Sequence, residues 1–438
     1  MIVATVSFDK GEQHSRKRLT VIQRSAIIRM INNAELSREG CLVFQKQENI
    51  MVIRIGSYLR TDKLIAGDGI EPRVLASVGM STPADSVETE VYKAKIAQKY
   101  GADIVIDHTL TPLNYEVQKR ILNEVNLPLS AIAVYDVASE VLFSQKDYYT
   151  EEDVLLNIER KASLGVDMLT IHASVRKSDL AYFQNSGRII PCTSRGGTMV
   201  LENIQKTGED NYYFTYYDEI LKIAKKYGTT ISLGAVFRPA SISDALYNNE
   251  KYWEEINRNA ELAKRAVGAN VPVMVEGIGH CPLNLIPSVV RRSKEICKVP
   301  YRVLSVATDS ALGFDHVSSA IAVANEVMNG ADFVTAVSRS EHLGLPSVED
   351  LKEAVISAKI AAHCGYIART GDISKDLAMA ESRRKNGCKG SIDASVVPEM
   401  TKEALSSHKL TAEKKCSMCG PFCALSSGDV IKNGAHDQ

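Results

Sequence analysis

From about residue 73 onward the chain alternates short apolar runs with amphipathic helical stretches. The runs are Arg73–Val78, Ala102–Asp107, Ala131–Tyr135, Met168–His172, Ile189–Cys192, Thr230–Leu233, Val273–Glu276, Tyr301–Leu304 and Phe333–Ala336. They are rich in Val and Ile, the residues that fit a pleated, buried surface. Between them lie good helix formers such as Glu88–Tyr100, Tyr252–Val267 and Val348–Ala362. Gly101, Gly165 and Gly330 each fall between such a helix and the next run, where a helix C-cap glycine belongs. The alternation predicts βα units and a parallel sheet. Nine candidate strands are one more than a (β/α)8 barrel needs. The competing open, doubly wound sheet announces itself by a glycine-rich turn after its first strand, and Ser77-Val-Gly79-Met80 matches that poorly. The predicted fold is therefore α/β, a (β/α)8 TIM-type barrel over residues 71–370.

The flanks break this rhythm. Residues 1–70 hold a basic start (Lys10 to Arg18), an amphipathic stretch (Leu19 to Ile31) and a β-like run (Ile50 to Ile55). Residues 371–438 hold a charged helical stretch, Lys375 to Asn386, a break at Gly387–Gly390, a second helical stretch, Pro398 to Ser407, and a cysteine-rich loop. The tail, Ser426 to Gln438, reads as disordered.

Composition narrows the classes. With 438 residues, 45% of them hydrophobic, the chain can bury a large core. Lys and Arg total 52 against 53 Asp and Glu, which leaves no electrostatic footprint for nucleic acid or an anionic membrane. No stretch approaches the roughly 18 apolar residues of a membrane span. The start, Met-Ile-Val-Ala-Thr-Val-Ser-Phe, has no basic leader. Cys41, Cys192, Cys281, Cys297, Cys364 and Cys388 are scattered, as reduced thiols in a cytoplasmic protein are. The expected location is the cytoplasm.

In a barrel, chemistry sits at the C-terminal strand ends. Asp107-His108, Tyr135, His172, Ser194-Arg195-Gly196-Gly197, Arg238, Glu276 with His280, Asp309, Asp315-His316 and Glu341-His342 all close or follow the runs. A lone His or Asp there is commonly a cap or a satisfied hydrogen-bond partner, but capping favours Asp, Ser and Thr rather than this many His and Arg. Ser194–Gly197 offers a hydroxyl, a guanidinium and approachable backbone N–H groups, a set that suits a phosphate, though Gly-Gly also makes an ordinary turn. His280 and His342, near Glu276 and Glu341 in sequence, could bind a divalent metal or be two structural histidines. Glu276, Tyr135 and His172 are candidate acid–base or orienting groups.

Cys416-Ser-Met-Cys419-Gly-Pro-Phe-Cys423 packs three thiols into eight residues. Such spacing can hold three irons of a four-iron cluster and leave the fourth open for a small molecule, the amino and carboxylate groups of S-adenosylmethionine being the candidate. The same thiols could instead hold a structural zinc with a fourth ligand such as His408.

These residues together resemble the phosphomethylpyrimidine synthase family of thiamine biosynthesis, non-standard radical S-adenosylmethionine enzymes. The resemblance runs from about Ser57 to Leu425. Its carriers are Glu90–Lys95, Tyr100–Asp103, Thr170–Ala173, Ser194–Gly197, Val273–Gly277 with Gly279-His280, Phe314–His316, Glu341–Pro346, Ala358–His363 and Cys416–Pro421. It implies a barrel with a helical C-terminal iron–sulfur tail, commonly swapped across a homodimer. It implies a [4Fe-4S] cluster on Cys416, Cys419 and Cys423, S-adenosylmethionine, and a zinc or iron ion on His280 and His342. The implied substrate is 5-aminoimidazole ribonucleotide, rearranged by a 5′-deoxyadenosyl radical after reduction by a donor such as flavodoxin or ferredoxin. By motif position its contacts would be Ser77, Ile106, Tyr135, His172, Ser194, Arg195, Gly196, Arg238 and Glu276.

Departures from the family pattern gather around the reacting ring. An Asn-Ala-Asn-Ile-Gly strand becomes Leu75-Ala-Ser77-Val-Gly79, and Asp-Gly-Leu-Arg becomes Ala235-Val-Phe-Arg238. Met becomes Ile106, Tyr becomes Phe314, and the cluster loop has three residues before its last cysteine instead of four. Pockets that hydrogen-bond a substrate discriminate strongly when those groups change. The expected activity is therefore a sister one, a lyase forming 5-hydroxybenzimidazole, the lower-ligand base of cobamides in anaerobes, which some organisms make with a paralogous partner chain. The alternatives are the thiamine pyrimidine phosphate itself, or a non-catalytic partner of such a synthase.

Overall fold

The structure, a computed structural model, describes residues 42–45, 50–82, 86–386 and 392–407. Strands β1 (Leu42–Gln45), β2 (Ile50–Ile55) and β3 (Leu64–Gly67) form an antiparallel sheet in that order. Eight more strands follow: β4 (Arg73–Val78), β5 (Ile104–Asp107), β6 (Leu129–Ile132), β7 (Met168–Ile171), β8 (Thr230–Leu233), β9 (Val273–Glu276), β10 (Tyr301–Val303) and β11 (Phe333–Ala336). They close into a barrel, all neighbours parallel, with β11 pairing back to β4. The expected (β/α)8 architecture is present. Gly101, Gly165 and Gly330 adopt the left-handed backbone expected of them.

Eight of the nine apolar runs are barrel strands. The ninth, Ile189–Cys192, is irregular. Its Ile189 and Ile190 N–H groups donate to the two oxygens of Asp244 (2.8 and 3.1 Å), so a side chain takes the bonds a neighbouring strand would have taken. The third run also divides. Its strand stops at Ile132 and a helix, Ala133–Phe143, begins at once. Tyr135 therefore stands on the first turn of a helix, not at a strand end.

The period of two along each strand sorts side chains between two cores. Val74, Ala76 and Val78 join the large core under the helices, whereas Leu75 belongs to the barrel interior. There Leu75, Ile104, Ile106, Met168, Met274 and Phe333 pack with Ile53, Ile55 and Ala66 of the antiparallel sheet. The small sheet thus plugs the N-terminal end of the barrel. Asp167, just before β7, ties it on. Its carboxylate accepts from Ser57 N–H (2.8 Å) and Arg60 Nε (3.0 Å).

The helix Val348–Thr370 completes the outer ring, started by a capping box of Ser347 and Asp350. The stretches expected to be helical beyond it are Ser374–Asn386 and Pro398–Ser407. Glu403 of the last helix accepts from Lys352 Nζ (2.8 Å), Lys99 Nζ (3.3 Å) and the Tyr100 hydroxyl. The amphipathic stretch Leu19–Ile31, the cysteine loop Cys416–Cys423 and the tail from Ser426 lie outside the described residues. Among the described residues no helix is long and apolar enough to cross a membrane.

Candidate active site

At the C-terminal end of the barrel the inward side chains change from apolar to charged. Glu276 ends β9. Its Oε2 accepts from Arg238 Nη1 (2.7 Å) and from the Ala235 N–H (2.9 Å), and its Oε1 lies 3.4 Å from Arg302 Nη2. Burial alone would raise this carboxyl, but Arg238 and Arg302 outweigh it and hold it at about 2. Glu276 is therefore a fixed carboxylate. It orients and balances charge, and it is a poor proton donor near neutrality. The Arg238 loop is itself held by Glu255, whose carboxyl accepts from Val236 N–H (2.8 Å), Phe237 N–H (2.7 Å) and Ser174 Oγ (2.7 Å). Burial pushes Glu255 up to about 7 against those bonds.

His172 follows β7 and is buried with its Nδ1 unpartnered. Burial, opposed by Glu276 and aided by Arg238 and Arg302, lowers it to about 4, so the ring is a neutral imidazole. Two glycines make room for it. A Cβ on Gly196 would stand 2.3 Å from the ring and one on Gly234 2.8 Å. Gly196 thus serves the imidazole's packing as well as its own loop.

Ser194-Arg195-Gly196-Gly197 is a helix start. Ser194 caps the helix Arg195–Thr207, its Oγ accepting from Gly197 N–H (3.1 Å). A helix N-terminus with a guanidinium on its first residue attracts an anion. Arg195 Nε donates to the Tyr135 hydroxyl (3.1 Å), and its guanidinium carbon lies 5.1 Å from that ring's centre. Burial raises the Tyr135 phenol, so it stays protonated. Tyr135 also meets His108 edge-on, centroids 6.0 Å apart. Desolvation, helped by Arg195, lowers His108 to about 3.

Arg195 and His108 line a cavity of about 480 Å³ together with Ser77, Gly79, Ser338 and Glu341. Ser77 thus reaches the mouth, whereas Ile106, two residues along the inward face from Ile104, is wholly buried in the lower apolar layer. Asp107 turns away into a structural network, accepting from Thr109 Oγ1 (2.5 Å) and Gln118 Nε2 (2.8 Å).

His280 and His342 come together, ring centres 5.2 Å apart. Their carboxylate partners are Asp309 and Asp315, not Glu276 and Glu341. His280 Nδ1 meets Asp309 Oδ1 at 2.6 Å, and His342 Nδ1 meets Asp315 Oδ1 at 3.0 Å. With Nδ1 taken, each ring keeps Nε2 for a ligand, the arrangement carboxylates give to metal-binding histidines. Among the described residues no group of three or more His, Cys, Asp or Glu could hold a metal. The pair is a partial donor set, two imidazole nitrogens that could fill two positions of a divalent ion. The cysteines Cys416, Cys419 and Cys423 lie outside the described residues. Of the described ones, Cys192 and Cys297 are pushed up by burial to about 11 and about 12, which keeps them thiols.

Among the site's charged residues, Arg302 and Glu255 escaped the sequence reading. Arg302 interrupts an apolar strand run with a charge, and that interruption was its signal. Glu255 looked like one more polar residue on an amphipathic helix.

The model of the radical SAM ThiC family matches residues 23–429. A phosphomethylpyrimidine synthase of Dehalococcoides mccartyi is 38% identical over 369 residues, 82% of this chain and 84% of that protein. One of Geobacter metallireducens is 36% identical over 368 residues, covering 82% and 84%. The phosphomethylpyrimidine synthase 2 of Methanosarcina barkeri is 36% identical over 386 residues, covering 86% and 89%.

Proposed function

The chain belongs to the radical SAM ThiC family, and on that premise we propose that it rearranges 5-aminoimidazole ribonucleotide. Membership implies a four-iron cluster and S-adenosylmethionine, which supply an organic radical when bound. The observation that carries the substrate class is the cationic mouth. Arg195, on a helix N-terminus, lines the cavity beside the neutral imidazole of His108, and Arg238 lies on Glu276 at the same end of the barrel. Arg195, Ser194 and Arg238 hold the phosphate. Glu276 and Tyr135 orient the ring and His172 packs beneath it. His280 and His342, held by Asp309 and Asp315, carry a zinc or iron ion near the substrate. Cys416, Cys419 and Cys423 hold the cluster, and a homodimer reduced by a flavodoxin or ferredoxin completes the assembly.

The relatives' names favour the thiamine pyrimidine phosphate as product. A second reading, 5-hydroxybenzimidazole, rests on the wall of the cavity. Ser77 there, Leu75 below it and Ala235 beside Glu276 replace amide and carboxylate side chains of the family pattern. One anaerobic experiment separates the readings: protein with its cluster rebuilt, 5-aminoimidazole ribonucleotide, S-adenosylmethionine and a reductant, with products identified by mass spectrometry. Pyrimidine phosphate alone sinks the second reading, and benzimidazole alone sinks the first. Neither product, with cluster present, points to a partner chain. The ligand assignment fails if Cys416→Ala protein holds as much iron and sulfide as the parent.

A further inference from the structure

One carboxylate serves two guanidiniums at the mouth, and the two are held very differently. Arg302 is locked. It lies within β10, directly opposite Glu276 in the register of the two strands, and it is 4% exposed. Its Nε donates to Thr335 Oγ1 on the next strand at 2.9 Å. Arg238 sits on a loop, its side chain 13% exposed, and rests on Glu276 Oε2 and the Ala235 carbonyl (3.1 Å). If Arg238 swings away, Glu276 keeps Arg302 on one oxygen and the Ala235 N–H on the other. We propose that Arg302 is the standing counter-ion of Glu276 and that its presence frees Arg238 to bind the anionic group of the substrate.

The reasoning is electrostatic. A buried charge without a partner is costly, so an arginine that is the sole partner of a buried carboxylate cannot leave it for a ligand. With two arginines on one carboxylate the site carries a surplus positive charge, and the more mobile arginine is the one a phosphate can recruit. Arg302 is thus a positioning residue, acting on the ligand through Glu276 and Arg238. It deepens the reading that an anionic substrate enters this mouth and rests on that reading.

The test is a double-mutant cycle on the full-length protein, read by calorimetry with 5-aminoimidazole ribonucleotide and, separately, with inorganic phosphate. In Arg302→Met the expected affinity for both probes falls about tenfold or more, because Glu276 then monopolises Arg238. With phosphate as the probe, which has no ring for Glu276 to orient, adding Glu276→Gln to that variant restores most of the loss. A merely structural role for Arg302 predicts no such rescue. Arg302→Lys keeps the charge and is expected to bind within about threefold of the parent. This variant decides the matter if Arg302→Met does not accumulate folded, and a loss of about tenfold in it overturns the proposal. So does unchanged affinity in Arg302→Met, or a double variant as weak as the single. A parent that binds phosphate and not the ribonucleotide refutes the substrate reading alone, and the cycle with phosphate still judges Arg302. A parent that binds neither refutes both.

Discussion

At the floor of the barrel, Leu75, Ile104, Ile106, Met168, Met274 and Phe333 meet Ile53 and Ile55 in an apolar layer. At the mouth, a few residues further along strands of the same barrel, Glu276, Arg302 and Arg238 bury charges against one another beside two neutral imidazoles. The floor is held by shape and area, so substitutions there act on stability in proportion to the volume they remove. The mouth is held by pairing, so removing one partner disturbs the others more than its size suggests. The difference teaches that in this barrel depth along the strand, not position around it, separates folding from binding.

The strongest challenge to that division is a pair of truncations. Phe333→Ala should lower unfolding free energy by about 3–5 kcal/mol and leave ligand affinity nearly unchanged. Glu276→Ala should lose about as much stability, because Arg302 stays buried without its carboxylate, and should abolish high-affinity binding as well. Urea titration and calorimetry measure both. Should Phe333→Ala weaken binding as much as Glu276→Ala does, the two ends are not separate. Next in size is the histidine pair. Asp315→Asn should weaken zinc or iron binding about 10- to 100-fold through His342 without moving the urea midpoint appreciably. Metal content after dialysis against a graded chelator reads this out, and equal retention in variant and parent would refute it.

Gly196→Ala should cost about 1–3 kcal/mol, since its Cβ has to displace the His172 ring. Ligand affinity should drop with it. A fully stable, fully active variant would mean that the imidazole is not wedged there.

The smallest expected effect is the pH response. His172 and His108 titrate near 6.5 when unfolded but near 4 and 3 when folded, so below about 6.5 the unfolded chain takes up protons that the folded one refuses. Stability should therefore fall as pH drops from about 6.5 toward 4. Glu276 adds a further decline below its ordinary 4.5, where the unfolded carboxyl protonates and the folded one, near 2, does not. The urea midpoint of a His172→Asn variant should decline less between about pH 7 and about pH 5 than the parent's. Identical declines would remove His172 from the account.

The barrel was legible because its strands are apolar runs of even texture separated by capped helices. The false strand at Ile189–Cys192 shows what that texture omits. An apolar run becomes a strand only when a neighbouring backbone offers partners, and here Asp244 offers a carboxylate instead. The plug was half legible: β2 stood out, but nothing in its sequence said that Ile53 and Ile55 enter the barrel. At the mouth, residue types and strand-end positions picked out His172, Arg195, Arg238, Glu276, His280 and His342. Pairing was not legible. Asp309 and Asp315, not the glutamates nearer in sequence, hold the histidines, because loops from successive strands meet only after the barrel closes. Arg302 is hidden in the sequence because a strand interior ordinarily means packing, not pairing.

A barrel stopped from below by a wedge of isoleucines is a blind well with a single rim. Any small molecule that reaches the mouth enters and leaves over that one rim, because the apolar end offers no second way out.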